Sequence, residues 1–533
     1  MRFKLVYILN SRPVKIGLFL LTLFYTFWRS FKGVEFTDTF YFLNTESTNL
    51  PMIEGVFATV KLLSGVFGKE LYIYRIFYWL SMVASLLFPY LMLQKKDKWI
   101  DNLYSLLLGL ICLTTFPLLG SDSFTTLLFS FALTLFIKFI QARKSYVYLI
   151  ASAIFAAVSV FFRFPNILLF PTIIFLLFLM PIFTGEKKWK IKDVLKTEFL
   201  FIITYLLVFV SIMLLLFGTE YLEKIQLSFN STTEKTHSMS SMLTTIQEDF
   251  SRIVFYIAFC FFMRALCCYY DTIQKVRWNK ILIGVAIVLF FAYIIKCNLT
   301  GYMFIVPLRL FLFAIFLYLM ILNVFKTNKN LLLYLSIISF ALVAAAGSDT
   351  GLIKALPVIL CFQFFIILKT QFNASKNLVV LLLVIVLHLA AFGGFHRTFK
   401  DLKPHQLTQT VQVDNLKYIK TTQERATFVE NVVAEYYKLK NDSTRIIFYG
   451  QSSHIFRYVT NEEPIYKSSF WMDSRSDVLA LENVILEYSP IIFHIPSHPE
   501  IYYYDSNTVL DSMLLKENYS EIIKDKYRIF VPN

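Results

Sequence analysis

Residues 12–42, RPVKIGLFLLTLFYTFWRSFKGVEFTDTFYF, carry the reading of the whole chain. An apolar run over 14–28 has Arg2, Lys4, Arg12 and Lys15 at its amino end and no small-residue cleavage site behind it. That pattern marks a retained membrane span with the amino end inside. Directly beyond the exit, Glu35 and Asp38 place two carboxylates three residues apart. The rest of the chain repeats the first feature many times: of 533 residues, 57% are hydrophobic and 16% charged, with a mean hydropathy of +0.60. Soluble domains average about 45–50% apolar and about 25% charged residues. So few charges cannot cover so much apolar surface in water, which excludes a single soluble enzyme.

Runs near the 20 residues needed to cross a bilayer predict thirteen spans. They fall at 14–28, 72–93, 102–119, 123–140, 146–162, 166–183, 199–217, 252–270, 280–296, 302–325, 331–346, 352–368 and 378–394. Backbone groups in hydrocarbon must bond within their own segment, so runs of this kind mean an α-helical polytopic bundle and not a barrel. Every second connection is basic, from Lys95, Lys96 and Lys98 through Lys187, Lys188 and Lys190 to Lys369 and Lys376. Cytoplasmic loops carry such an excess. The net charge of +15 is therefore a topology signal and not a nucleic-acid surface, since residues 1–394 hold 35 Lys and Arg against 18 Asp and Glu, whereas 395–533 hold 16 against 18. An odd number of spans places the carboxyl-terminal part outside, so the expectation is a multi-pass protein of the cell inner (plasma) membrane, N-in and C-out.

Two domains follow: a membrane domain over 1–394, with a first outer loop at 29–71, and an extracytoplasmic α/β domain over 395–533. All six cysteines lie in or beside the spans, so the outer domain needs an ordinary core and no disulfides. Its pattern predicts helices at 415–439, 452–459, 477–488 and 508–518 with strands at 445–449, 491–495 and 527–531, which reads as a small parallel sheet. In the first outer loop, Ile53, Val56, Phe57, Val60, Leu63 and Phe67 recur at helical spacing between Pro51 and Gly68. This predicts a helix that lies on the membrane surface or packs on the bundle.

Candidate site residues cluster at predicted outer turns. The tripeptides Gly120-Ser121-Asp122 and Gly347-Ser348-Asp349 each present a carboxylate, which can equally cap the helix that follows. Arg163 occupies the turn Phe162-Arg163-Phe164-Pro165-Asn166, Arg309 the outer half of a span, and Lys354 the first turn of another. Charge at the centre of a membrane helix costs about 2.5–3.5 kcal/mol on insertion scales, so each cation needs a pair, a cavity or a path to the interface. Guanidinium and ammonium groups match phosphate oxygens. His494 and His498 have Pro496 between them, which prevents a helical metal pair, and no zinc site is expected. Gly450-Gln451-Ser452-Ser453 is too short a signal for a nucleotide site.

An inside amino end, acidic residues soon after the first span, a helix in the same loop, many spans and a soluble carboxyl domain together resemble the GT-C membrane glycosyltransferases. The nearest likeness is to bacterial protein O-mannosyltransferase and aminoarabinose transferase-like enzymes. The resemblance implies transfer of a sugar from a polyprenyl-phosphate lipid to a glycan, lipid or protein acceptor. It also implies that an acidic residue of the first outer loop acts as general base: Asp38, with Glu35 as the rival, because relatives often show the acidic pair adjacent and here it is Glu-x-x-Asp. Arg163, Arg309 and Lys354 are then candidates for the phosphate, while Asp122 and Asp349 would position the acceptor or hold a divalent cation. A polysaccharide polymerase or ligase of the envelope is the second reading. A flippase or transporter, which should show internal repeats, is the third.

Overall fold

The computed structural model describes residues 11–36, 38–44, 54–100, 102–115, 117–142, 145–184, 191–218, 220, 239–268, 305–326, 330–346, 351–369, 401–462, 465, 475–495 and 508–533. The predicted spans 280–296 and 378–394, Asp349 and His498 lie outside the described residues. Two compact units result. One comprises Met1–Thr26, Trp79–Thr115 and Ser121–His396; the other comprises Phe27–Tyr78, Phe116–Gly120 and Arg397–Asn533.

The first unit is helical. Among the described residues, Leu71–Leu93, Ser121–Ala142, Phe164–Phe183 and Lys192–Phe217 are long and apolar enough to cross a membrane. Tyr146–Val160, Arg309–Phe325, Leu331–Ala345 and Gly351–Cys361 are shorter apolar helices. The helix Ser121–Ala142 packs on Tyr146–Val160, which packs in turn on Ile191–Phe217. Small residues make the close approach possible: Ala132, Ala153, Ala156 and Ala157 are fully buried, and the Ser152 hydroxyl donates to the Ala132 carbonyl at 2.8 Å. Without a hydrophobic force between helices in lipid, such tight backbone contact and interhelical hydrogen bonding are what hold a bundle together.

The second unit joins the first loop to the carboxyl-terminal region. Four strands, β3 (Ile446–Tyr449), β4 (Ile491–His494), β5 (Tyr519–Ile523) and β6 (Arg528–Pro532), form a sheet in the order β3-β4-β6-β5, and a short pair, β1 (Gln409–Thr410) with β2 (Lys420–Thr421), precedes it. The sheet is mixed, which corrects the wholly parallel expectation. β3 and β4 are parallel, but β6 runs antiparallel to both β4 and β5. The sequence pattern predicts no element between the helix 508–518 and the strand 527–531, where β5 lies. Asn518, at φ +61°, turns the chain just after the helix Thr508–Lys516, and the turn closed by Lys524 N–H to the Tyr527 carbonyl at 2.9 Å makes a hairpin. β5 is the sheet's edge with one buried and four exposed residues, so no apolar run announced it.

Both faces of the sheet are covered, as the continuous apolar runs of β3 and β4 require. Ile447, Tyr449, Ile492 and Phe530 pack with Leu481 and Ile485 of the helix Arg475–Tyr488 and with Leu514. Phe448 meets Tyr436 at 5.7 Å and Phe456 at 5.8 Å on the other side, from the helices Gln423–Leu439 and His454–Thr460. Gly450 ends β3 at φ +103°, where a Cβ would stand 2.1 Å from the Ile495 carbonyl oxygen. Only glycine fits there.

Candidate functional site

Gly33-Val34-Glu35-Phe36 is threaded into the second unit by backbone pairing. The Gly33 N–H donates to the Lys420 carbonyl at 2.8 Å, and the Lys420 N–H donates to the Phe31 carbonyl at 3.0 Å. Val34 is clamped at both ends, its N–H donating to Asp401 Oδ2 at 3.1 Å and its carbonyl accepting from Arg425 Nη1 at 2.6 Å. Asp401 and Arg425 are themselves buried, 3.6 Å apart, and Thr421 donates its hydroxyl to the same Asp401 oxygen. The Lys32 ammonium donates to the Leu407 carbonyl at 2.8 Å, and burial followed by repulsion from Lys420 pushes its pKa down. A segment held by this many hydrogen bonds on both sides is fixed relative to its frame.

The acidic pair sits just after this clamp. Glu35 is 2% exposed, and its Oε2 accepts the Thr39 N–H at 2.8 Å. Thr39 is the second residue of the short helix Asp38–Leu43, so the Glu35 carboxylate satisfies one of the amides that a helix start leaves open. Its charge faces the Arg75 guanidinium, whose Nη2 also donates to the Gly33 carbonyl at 3.2 Å. Asp38 is the first residue of that helix. The loop then continues into the predicted helix, Glu54–Phe67, with Val56, Val60 and Leu63 buried and Leu62, Val66 and Phe67 exposed. Pro51 and Ile53 lie outside the described residues. On either side of that helix, Asn44 donates its side-chain amide to the His454 carbonyl at 2.7 Å, and the Lys69 carbonyl accepts the Tyr458 hydroxyl.

Within the first unit, four of the residues singled out from the sequence meet. Lys354 pairs with Asp122, and Arg163 and Arg309 also act electrostatically on that carboxylate. Asp122 stands in the first turn of Ser121–Ala142, half exposed, where the helix dipole favours a negative charge. Lys354 is carried by a 3₁₀ turn, Gly351–Ala355, rather than by a continuous helix. Arg163 is spoken for structurally. It is buried, and its Nη1 and Nη2 donate to the Ala344 and Ala346 carbonyls at 2.8 and 2.6 Å. Those are acceptors at the carboxyl end of the helix Leu331–Ala345, so the guanidinium caps it. Arg309 lies half-buried near the start of Ile305–Lys326.

Residues the sequence did not single out complete this corner. Asn166, fully buried, donates to Thr125 Oγ1 at 3.0 Å and to the Ser159 carbonyl at 2.9 Å, tying the Arg163 turn to the neighbouring helix. Asp249, on the helix Met239–Cys268, accepts the Leu352 N–H on Oδ2 at 2.9 Å. Asp249 stands in no motif, and Asn166 enters the sequence reading only as the end of the Arg163 turn; their fold neighbours make both relevant. With three cations around one carboxylate, the corner suits an anion better than a divalent cation. Among the described residues no group of three or more His, Cys, Asp and Glu side chains converges. His494 Nδ1 stands 2.9 Å from Arg528 Nη2.

No protein-family model matches the sequence, and no curated protein matches it. Solved structures do. ArnT from Cupriavidus metallidurans, in the apo state, is similar over 97% of this chain and 97% of its own, at 11% identity and a TM-score of 0.44. The same protein bound to undecaprenyl phosphate gives 10% identity and a TM-score of 0.45. The Archaeoglobus fulgidus oligosaccharyltransferase tethered with an acceptor peptide is similar over 98% of this chain and 74% of its own, at 10% identity and a TM-score of 0.48. The chain is similar to each over nearly its whole length.

Proposed function

We propose that this protein is a membrane glycosyltransferase that moves a sugar from a polyprenyl-phosphate donor to a glycan, lipid or protein acceptor at the outer side of the inner membrane. The observation that carries the reading is the corner of Asp122, Arg163, Arg309 and Lys354, a net positive charge on an apolar helical unit. Apolar walls suit a polyprenyl chain, and cations at their end suit its phosphate.

Transfer through an oxocarbenium-like state needs a carboxylate to take the acceptor's proton and positive charge to meet the departing phosphate. Asp38 takes the first role. Glu35 is the poorer base, because its carboxylate is buried and already accepts the Thr39 amide; it anchors the first turn of the helix Asp38–Leu43. Lys354 and Arg309 meet the phosphate, Asp122 neutralises Lys354 before the donor arrives, and Arg163 adds its field from the helix cap. Asp349 would position the acceptor. The thirteen spans, the N-in orientation and the extracytoplasmic carboxyl domain belong to the same proposal.

Mass spectrometry of lipid extracts from cells lacking the protein tests it. A polyprenyl-phosphate sugar should accumulate and should disappear on restoring the wild-type chain, but not on restoring Asp38→Asn with Glu35→Gln. Unchanged lipid-linked sugars in the deficient cells, or full rescue by the double variant, would overturn the reading.

A further inference from the structure

The 3₁₀ turn Gly351–Ala355 does not hold itself in place. It lies between the helices Leu331–Ala345 and Leu356–Cys361, and its Gly351 has φ +68°, a conformation in which an L side chain is strained. A Cβ on Gly351 would also stand 2.3 Å from Asp249 Oδ2 and 2.9 Å from Thr245 Cγ2. The backbone of the turn is thus pressed against one face of the helix Met239–Cys268. That face offers a single carboxylate, Asp249, itself only 2% exposed. Its Oδ2 accepts the Leu352 N–H at 2.9 Å, while its Oδ1 lies 3.5 Å from Arg252 Nη1. Two residues past Leu352, Lys354 reaches Asp122.

We infer that Asp249 is a positioning residue for Lys354: by holding the Leu352 amide it fixes the turn that aims the ammonium at Asp122 and at a donor phosphate. Gly351 is the other half of the same device, since only a residue without Cβ lets the turn come within hydrogen-bond distance of the carboxylate. The helix that carries Asp249 begins at Met239, ahead of the predicted span 252–270. The inference rests on the proposed phosphate role of Lys354.

The test is binding of undecaprenyl phosphate to the full-length protein in detergent, with undecaprenol as the phosphate-free control. Wild type should prefer the phosphate. Lys354→Ala should lose much of that preference, and Asp249→Ala should weaken phosphate binding by roughly fivefold, the worth of about one hydrogen bond. It should leave undecaprenol binding unmoved. Asp249→Asn, which keeps an acceptor oxygen for Leu352, should restore most of the loss. On a Lys354→Ala background, Asp249→Ala should cost nothing further. Gly351→Ala attacks the same contact from the other side and should give the same non-additive loss, which keeps the test alive should Asp249→Ala fail to fold. If wild type does not distinguish undecaprenyl phosphate from undecaprenol, the proposed function falls. If it does, but Asp249→Ala and Gly351→Ala weaken binding equally with and without the Lys354 amine, Asp249 only stabilises the bundle and the inference is overturned.

Discussion

Replacing Arg163 by Lys separates charge from geometry at the anion corner. Arg163 is buried and donates through two nitrogens to the Ala344 and Ala346 carbonyls at 2.8 and 2.6 Å. A guanidinium spans two acceptors because its donors are fixed in one plane, whereas a Lys ammonium is a single point on a flexible stem. The Lys variant keeps the positive charge near Asp122 but can serve at most one of the two carbonyls. The other carbonyl is left unmet at the end of a buried helix. Hydrogen bonds from a charged donor contribute about 1.5–3 kcal/mol each, and that is the expected loss. At about 2 °C per kcal/mol for a chain well above 150 residues, the unfolding midpoint should fall by about 3–6 °C. Arg163→Ala, which removes both bonds and the buried side chain, should lose more. Tryptophan fluorescence followed during heating of the detergent-solubilised protein reads both. A Lys variant that melts with the wild type would refute the capping role, and Arg163 would then act by charge alone.

Asp38→Asn should lower sugar transfer by about 10²–10⁴-fold, the range for losing a general base. Glu35→Gln retains an oxygen for the Thr39 amide and should stay within about tenfold of wild type; the reverse order in a transfer assay on lipid-linked sugar would make Glu35 the base. His494 supplies a pH prediction. Burial, and then the neighbouring Arg528 guanidinium, push its pKa down from the usual 6.5 to about 4. The folded state therefore holds the neutral ring while the unfolded chain takes up a proton first. The stability this contributes is complete above about pH 6.5 and is lost as the pH falls toward 4, at about 1.4 kcal/mol per unit and about 3 kcal/mol in all. Melting curves of wild type and His494→Gln should converge over that window, and a constant difference between them from pH 7 to 4.5 would contradict it.

How much of this was legible in the chain follows from the range of the forces involved. Apolar run length and helix periodicity are local, so apolar helices such as Ser121–Ala142, the helix Glu54–Phe67 and strands β3 and β4 could be read directly. The edge strand β5 could not, because one buried residue in five carries no periodic signal and its pairing with β6 depends on a turn at Lys524–Tyr527. The charged residues were legible as candidates, since a cation or carboxylate beside an apolar run is conspicuous by cost alone.

Their roles were not legible, because a role depends on partners distant in sequence. Arg163 caps a helix that ends about 180 residues later, Lys354 meets a carboxylate 232 residues earlier, and Asp249 grips an amide 103 residues away. The sequence determined a helical chain with apolar runs long enough to cross a membrane and, beside these, few charges. Tertiary structure alone decided which of them face one another, because a hydrogen bond or ion pair acts over a few ångströms of space and the chain must fold before distant residues come that close.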